Sequence, residues 1–342
     1  MTMNYPERLR KGETVALLAP SSPISMEDAA ACRRYFEERG YGVRMSGLVS
    51  AALHGYEAGE PEARADDLNA AFAAPDVRAV FCLRGGNSAC RVLEHVDLET
   101  VRSNPKTFVG YSDITPLHVL FNQKADLITF HGPMVKSNML QGLDAFSRAS
   151  LDAALSMEPG SEMEFRNPEG SAIEAVCGGV AEGCLAGGNL ALLTSLLGTP
   201  YAVDARGKIL LIEDVGETVP RVARMLHHLR LAGKFEEAAG VLIGDFTDCP
   251  NAAEPAYGVR DLMRDFFSGL GKPILAGIRT GHDFPMATLP LGMHCRVDAA
   301  RGSIRFLRDR EVRRTEGLRS SQGELSAYVD NAATMPRVDV SD

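Results

Sequence analysis

Five short apolar runs in the first part of the chain alternate with helix patterns, and that alternation restricts the fold to few architectures. TVALLAP (14–20), YGVRMS (41–46), RAVFCL (78–83), TFVGY (107–111) and DLITFHG (126–132) read as strands. A helix opens near Ser25 with acidic residues in its first turn and stops at Gly40. EARADDLNAAFAA (62–74) is a second helix, ended by Pro75. Strands joined by helical crossovers predict an α/β fold with a mostly parallel sheet and helices on both faces. Functional loops of such a sheet belong at the carboxyl ends of its strands.

Residues 156–176 mix Pro, Gly and alternating polar residues and read as a linker or crossover. VAEGCLAGG (180–188) opens the second half, followed by helix NLALLTSLL (189–197) and strand KILLIEDV (208–215). A helix around PRVARMLHHLRLAG (220–233) and strands VLIGDF (241–246) and PILAGI (273–278) come next, and CRVDAARGSIRFLR (295–308) reads as a closing β-hairpin. The expected organisation is an N-terminal α/β domain over 1–155, the linker 156–176, a second, smaller α/β domain over 177–310, and a polar, mobile tail over 311–342. A chain of 342 residues with 45% hydrophobic content can fill two such cores.

Charge and cysteine usage exclude several functions. A net charge of −9 without a long basic run argues against a nucleic-acid partner. The N-terminal apolar run is too short for a secretory signal, and no stretch approaches a membrane span, so a cytoplasmic location is expected. The seven cysteines are odd in number and form no C-x-x-C, which points away from a zinc knuckle or a redox pair. Most lie in apolar context and read as small buried hydrophobes, Cys90 and Cys184 flank candidate segments without being read as nucleophiles, and neither a metal nor a cofactor is expected.

Polar residues at strand ends supply the candidate chemistry. Ser112 stands between apolar strand and helix in FVGYSDITPLHVLF (108–121). The plain reading of such a serine is a helix cap. A serine in a strand–turn–helix also has an exposed hydroxyl beside unsatisfied helix-start amides, which suits a nucleophile and an oxyanion. Gly-Tyr-Ser-Asp lacks the second glycine of G-x-S-x-G, so that elbow motif does not apply as written. Arg84-Gly85-Gly86-Asn87 follows FCL, and its paired glycines either serve a turn or let backbone amides approach a ligand. Glu213 closes an apolar strand, where a carboxylate needs a partner, and Asp214 and Glu217 compete for the same role. His282 lies in a loop past PILAGI and can act as a general base. His131 is a second candidate base, His118 fits a core or capping role, and spacing alone does not choose among them.

The ordered blocks RGGNSACRVLEHVD, NPKTFVGYSDITPLH, AEGCLAGGNLALLTSLLGTPY, GKILLIEDVGE and GHDFPMATLPLG resemble the LD-carboxypeptidase family of serine peptidases. The resemblance runs from about residue 12 to 308. It implies a Ser112–His282–Glu213 triad, an oxyanion hole from the backbone N–H groups of Gly86 and Asp113, and release of terminal D-Ala from murein tetrapeptides in peptidoglycan recycling. It also implies a homodimer. Arg84 is a candidate partner for the substrate carboxylate, with Gly85 and Asn87 beside it. A second branch of the family resembles the microcin C immunity peptidases, which hydrolyse peptidyl or aminoacyl nucleotides. Asn87-Ser88 after Arg-Gly-Gly is closer to that branch. The absence of any Trp removes its stacking platform for a base and favours the murein branch. A non-catalytic α/β ligand-binding module is the remaining alternative, but its Gly-rich loops lack the Lys and Ser/Thr of a phosphate site.

Overall fold

The molecule is described here by a computed structural model covering residues 3–308, and the tail expected over 311–342 lies outside them. In chain order the strands are β1 (Thr14–Leu18), β2 (Gly42–Arg44), β3 (Val77–Cys82), β4 (Thr107–Gly110), β5 (Thr129–His131), β6 (Glu162–Phe165) and β7 (Glu174–Cys177). They continue with β8 (Val180–Asn189), β9 (Ile209–Val215), β10 (Gly240–Thr247), β11 (Ile274–Ala276), β12 (Leu289–Leu291), β13 (His294–Asp298) and β14 (Ser303–Leu307).

Two sheets result, and the fold is α/β as expected. The first has the order β12-β5-β4-β3-β1-β2, parallel throughout except for antiparallel β12 at its edge. The second has the order β6-β14-β13-β8-β9-β10-β11-β7. Its centre, β8 to β11, is parallel, and antiparallel strands flank it on both sides. In the central strand β9, Ile209 to Asp214 are all buried, because helices cover a parallel sheet on both faces.

Local chemistry starts the helices, the first of them at Ser25 as expected. Ser25 caps Met26–Glu37, its hydroxyl accepting from Asp28 N at 3.0 Å. Pro61 opens Pro61–Ala73 at a position that needs no N–H donor. The segment 156–176 differs from its reading as a linker: it supplies β6 and most of β7 to opposite edges of the second sheet, which has eight strands. Short edge strands with alternating exposure carry too weak an apolar signal to be told from loop. The cysteines are a second correction, since only Cys32, Cys82 and Cys295 are buried, while Cys90 is exposed and Cys177, Cys184 and Cys249 are half-buried. No helix among the described residues is long and apolar enough to cross a membrane.

One crossing of the chain matters most for the site. After β11 in the second sheet, the backbone returns to the first sheet as β12, pairing Leu289 with His131 and Leu291 with Thr129. Pro290 is tolerated there because β12 is an edge strand. Ser147 Oγ and Ser150 Oγ, on helix Ala145–Leu155, accept from Met286 N at 2.8 Å and Thr288 N at 3.0 Å. Below the same sheet, Phe72, Phe108 and Phe121 are fully buried and meet edge-on, with Phe121 5.5 Å from Phe72 and 5.0 Å from Phe108 between ring centroids. This cluster seats helix Thr115–Lys124. Phe108→Ala is expected to lower stability by about 3–5 kcal/mol, because a cavity adds to the lost transfer energy. A urea midpoint within experimental error of wild type would show that the cluster does not hold this helix.

Candidate active site

β4 is apolar and buried, and it ends at Gly110. Tyr111 is extended, and Ser112 then adopts φ +63° before a short turn leads into helix Thr115–Lys124. A non-glycine residue in this left-handed region costs on the order of 1–3 kcal/mol and persists only where its surroundings hold it. The reversal lifts the hydroxyl off the sheet toward His282.

Ser112, His282 and Glu213 form one hydrogen-bonded line. His282 Nε2 lies 2.9 Å from Ser112 Oγ, and Nδ1 lies 2.9 Å from Glu213 Oε2. An ionised carboxylate only accepts, so Nδ1 carries the proton and Nε2 faces the serine as acceptor. Glu213 is fully buried near the end of β9, and half-buried Ser112 opens to solvent. The strand's two-residue period separates Glu213 from Asp214, and Glu217 lies beyond the end of β9. Asp214 faces away from His282, accepting from Asn189 Nδ2 at 2.9 Å, Ala191 N at 3.0 Å and Val215 N at 2.8 Å. Through Ala191 N it supports the start of the short helix Leu190–Ser195, whose cap is Asn189, and burial pushes its carboxyl up to about 6. Glu217 pairs with Arg221 at 2.9 Å.

The other two histidines are core residues. His118 Nε2 donates to Gly110 O at 2.9 Å, and Nδ1 accepts from Thr129 Oγ1 at 2.8 Å. Complete burial pushes its pKa down to about 4. His131 is also fully buried, which holds it neutral, and its ring nitrogens have no partner among the described residues. Tyr111 packs against both His282 and His131, at 4.8 and 5.8 Å between ring centroids. Neither His118 nor His131 is hydrogen-bonded to Ser112.

The Arg84–Asn87 loop passes directly over the serine. A Cβ on Gly85 would lie 3.2 Å from Ser112 Oγ and 3.5 Å from Asp113 N. Gly86 has φ +156°, and a Cβ there would come within 2.0 Å of Ser22 Oγ and 2.4 Å of Ser21 Oγ, so only glycine fits. The N–H groups of Gly86 and Asp113 make no hydrogen bond among the described residues. Arg84 and Asn87 are exposed beside them, and Arg84 likewise has no ion pair or hydrogen bond among the described residues.

Two groups around this line escaped the reading of the sequence. Asp113, read there only for its N–H, uses its buried carboxylate as a clamp: Oδ2 accepts from Ser88 N at 2.8 Å, Ala89 N at 2.9 Å and Ser21 Oγ at 2.5 Å. Arg279 brackets the loop carrying His282. Its Nη2 donates to Asp283 Oδ2 at 3.0 Å and Phe284 O at 2.9 Å, and its Nη1 to Asp245 Oδ1 at 2.9 Å. Burial pushes the Asp245 carboxyl up to about 7, although Arg279 opposes the shift. The Arg-Thr extension after PILAGI was the available signal for Arg279. No local pattern marks Asp245.

Comparison with known proteins gives a consistent picture. Residues 15–132 match the family model described as LD-carboxypeptidase N-terminal domain, and residues 182–297 the LD-carboxypeptidase C-terminal domain. The chain is 38% identical over 303 residues to a probable murein peptide carboxypeptidase of Bacillus subtilis, covering 87% of this chain and 93% of the relative. The muramoyltetrapeptide carboxypeptidase structure from Oxalobacter formigenes superposes with a TM-score of 0.75 at 28% identity, covering 87% of this chain and 99% of that one. The microcin C7 self-immunity protein MccF of Escherichia coli is 26% identical over 322 residues, covering 85% of this chain and 92% of MccF. A structure of MccF with glutamyl sulfamoyl guanosine shares the fold at a TM-score of 0.79 and 24% identity, covering 88% of this chain and 98% of that chain.

The buried histidines make stability depend on pH. His118 has a folded pKa of about 4, below its ordinary value of about 6.5, so folding favours its neutral form. Its contribution is fully present above pH ~6.5 and is lost as pH falls toward 4, because the unfolded chain takes up the proton first; the loss is on the order of 3 kcal/mol. His131 acts in the same direction. Denaturant midpoints measured between pH 7 and pH 4 should fall less steeply in His118→Gln than in wild type. Equal slopes would mean that His118 is not held neutral.

Proposed function

The chain belongs to the LD-carboxypeptidase family, and from that premise we propose that it is a serine carboxypeptidase that hydrolyses an L,D-peptide bond and releases terminal D-Ala from murein tetrapeptides. The observation that carries this reading is the Glu213–His282–Ser112 line, with both links at 2.9 Å and the serine held at φ +63° under a glycine loop.

In this reading each step of acyl transfer is assigned to one group. Ser112 Oγ attacks the scissile carbonyl as His282 Nε2 takes its proton. Glu213 holds the Nδ1 tautomer and stabilises the imidazolium that forms. The N–H groups of Gly86 and Asp113 receive the charge on the carbonyl oxygen, each donor contributing ~2.7–4 kcal/mol to the transition state. His282 then protonates the leaving amine. A water activated by the same Nε2 attacks the acyl-enzyme and frees Ser112.

Carboxypeptidase specificity needs a cation for the substrate's terminal carboxylate. Arg84 supports this role, since it is exposed and directly precedes Gly85, whose backbone lies against Ser112. Asn87 is the neighbouring polar contact. The similarity to MccF favours a second reading, hydrolysis of a peptidyl nucleotide, and the same assay separates the two. Homodimeric assembly and a cytoplasmic role in peptidoglycan recycling belong to the same proposal; sedimentation of a monomer at assay concentrations would remove the dimer.

Incubation with murein tetrapeptide should give loss of one D-Ala by mass spectrometry, and Ser112→Ala should abolish it. Glu213→Gln should lower kcat by on the order of 10³–10⁴. Cleavage of an aminoacyl nucleotide but not of the tetrapeptide would transfer the chain to the second reading. Arg84→Ala should raise KM by roughly 10–100-fold with a smaller change in kcat, because it removes a charge-assisted contact that substrate and transition state share. An unchanged KM and preference for free carboxyl termini would dismiss Arg84 from this role.

A further inference from the structure

Behind the glycine loop lies a buried charge cluster that the mechanism does not use. Arg64, on helix Pro61–Ala73, has a side chain only 1% exposed. Its Nη2 donates to Glu57 Oε2 at 2.9 Å, and Glu57 is itself fully buried. Its Nη1 donates to Pro20 O at 2.8 Å, Ser88 O at 3.2 Å and Ser88 Oγ at 2.9 Å. From the outer side, Arg91 Nη1 reaches both Glu57 oxygens, at 2.6 and 2.7 Å. Two guanidinium groups thus share the one buried carboxylate of Glu57, and the Asp113 carboxylate is joined to them through Ser88 and Ser21.

Fold stability alone does not account for this arrangement, because apolar side chains of similar volume commonly replace a buried ion pair without loss. The direction of the hydrogen bonds is more informative. Arg64 ties together the two segments that bound the glycine loop. One is Pro20–Ser22, whose serine hydroxyls lie against Gly86. The other is Ser88, whose N–H donates to Asp113. Ser21 closes the circuit by donating from Oγ to the same Asp113 oxygen. The N–H of Gly86 and the N–H of Asp113 are therefore held at one spacing by side chains that accept a hydrogen bond from neither.

We propose that Arg64 and Ser21 are positioning residues for acyl transfer, fixing the Gly86 loop against the Asp113 turn so that both N–H groups converge on the same oxygen. The inference rests on the oxyanion assignment above. The test uses the full chain and two readouts: kcat and KM for D-Ala release, and the second-order rate of phosphonylation by a fluorophosphonate. In the second reaction Ser112 Oγ forms the P–O bond, fluoride leaves and His282 takes the proton, so the rate reports the same hole without needing the physiological substrate.

Arg64→Lys keeps a cation opposite Glu57, but one ammonium cannot span Glu57, Pro20 O and Ser88 as the guanidinium does. Ser21→Ala deletes a single buried hydroxyl and leaves the Arg64–Glu57 pair in place. Both variants should lower kcat and the phosphonylation rate by about 10–100-fold while KM changes less than about twofold, since the misplacement of a donor by an ångström acts on the transition state. Ser21→Ala should keep its melting temperature within a few degrees, so its result decides the matter if Arg64→Lys does not fold. Wild-type rates in Ser21→Ala, or a lowered melting temperature with unchanged kcat, would overturn the proposal. Wild-type protein that labels at Ser112 but releases no D-Ala would remove the murein reading alone, because the phosphonylation comparison still stands. Wild-type protein that does not label at Ser112 would end both.

Discussion

The site depends on the return of the chain from the second sheet to the first. His282 lies between β11, in one sheet, and β12, at the edge of the other. Its acid partner Glu213 is on β9 of the second sheet, and Ser112 follows β4 of the first. The antiparallel pairing of β12 with β5 ties these elements together, supported by Ser147 and Ser150, which accept from the backbone on either side of Ala287. Without that pairing, nothing in the local preferences of residues 278–288 would direct an imidazole toward a serine 170 positions earlier. A second tie runs from Asn189 N to Thr115 Oγ1 at 3.0 Å, joining the end of β8 to the start of the helix behind Ser112.

Three buried carboxylates and the half-buried Asp245 surround this convergence, and their surroundings give each a different task. Glu213 has one short contact, to His282, and is free to follow the charge on the imidazole. Asp214, one residue on, is used up by three N–H donors and holds a helix start. Asp113 receives three donors on Oδ2, and they fix the glycine loop. Asp245 shares Arg279 with Asp283 and so belongs to the support of the histidine loop. A dry interior makes each pairing consequential, because a buried carboxylate without donors is costly. The strained backbone at Ser112 is held by the same surroundings: the Gly110 carbonyl beside it accepts from buried His118, and the Asp113 clamp follows immediately.

Much of this was legible one segment at a time. The buried parallel strands announced themselves as unbroken apolar runs, and Ser25 and Pro61 mark helix starts by chemistry that acts within a turn. Strand ends marked Ser112, Arg84 and Glu213 as candidates. Edge strands β6 and β7 were missed because half of each faces solvent, which leaves no continuous apolar signal. Cys177 and Cys184, on β7 and β8, are only half-buried for a related reason, as apolar neighbours in sequence do not ensure burial on a partly exposed strand. Arg64 was invisible as a buried charge, because an arginine in an amphipathic helix normally lies on the solvated side, and only the approach of Glu57 and Ser88 makes its burial tolerable.

What the sequence determined by itself was the fold class, the order of most strands and a short list of reactive side chains, because periodicity, capping and turn chemistry act over a few residues. Tertiary structure alone decided which histidine meets the serine, which of Glu213, Asp214 and Glu217 meets that histidine, and how the glycine loop is held over both. Those outcomes depend on register between strands and on distances of about 3 Å between groups far apart in the chain. A shift of one residue in β9 would have turned Asp214 toward the site in place of Glu213. Local preferences have no means of expressing such a choice; the packing of two sheets around one crossing does.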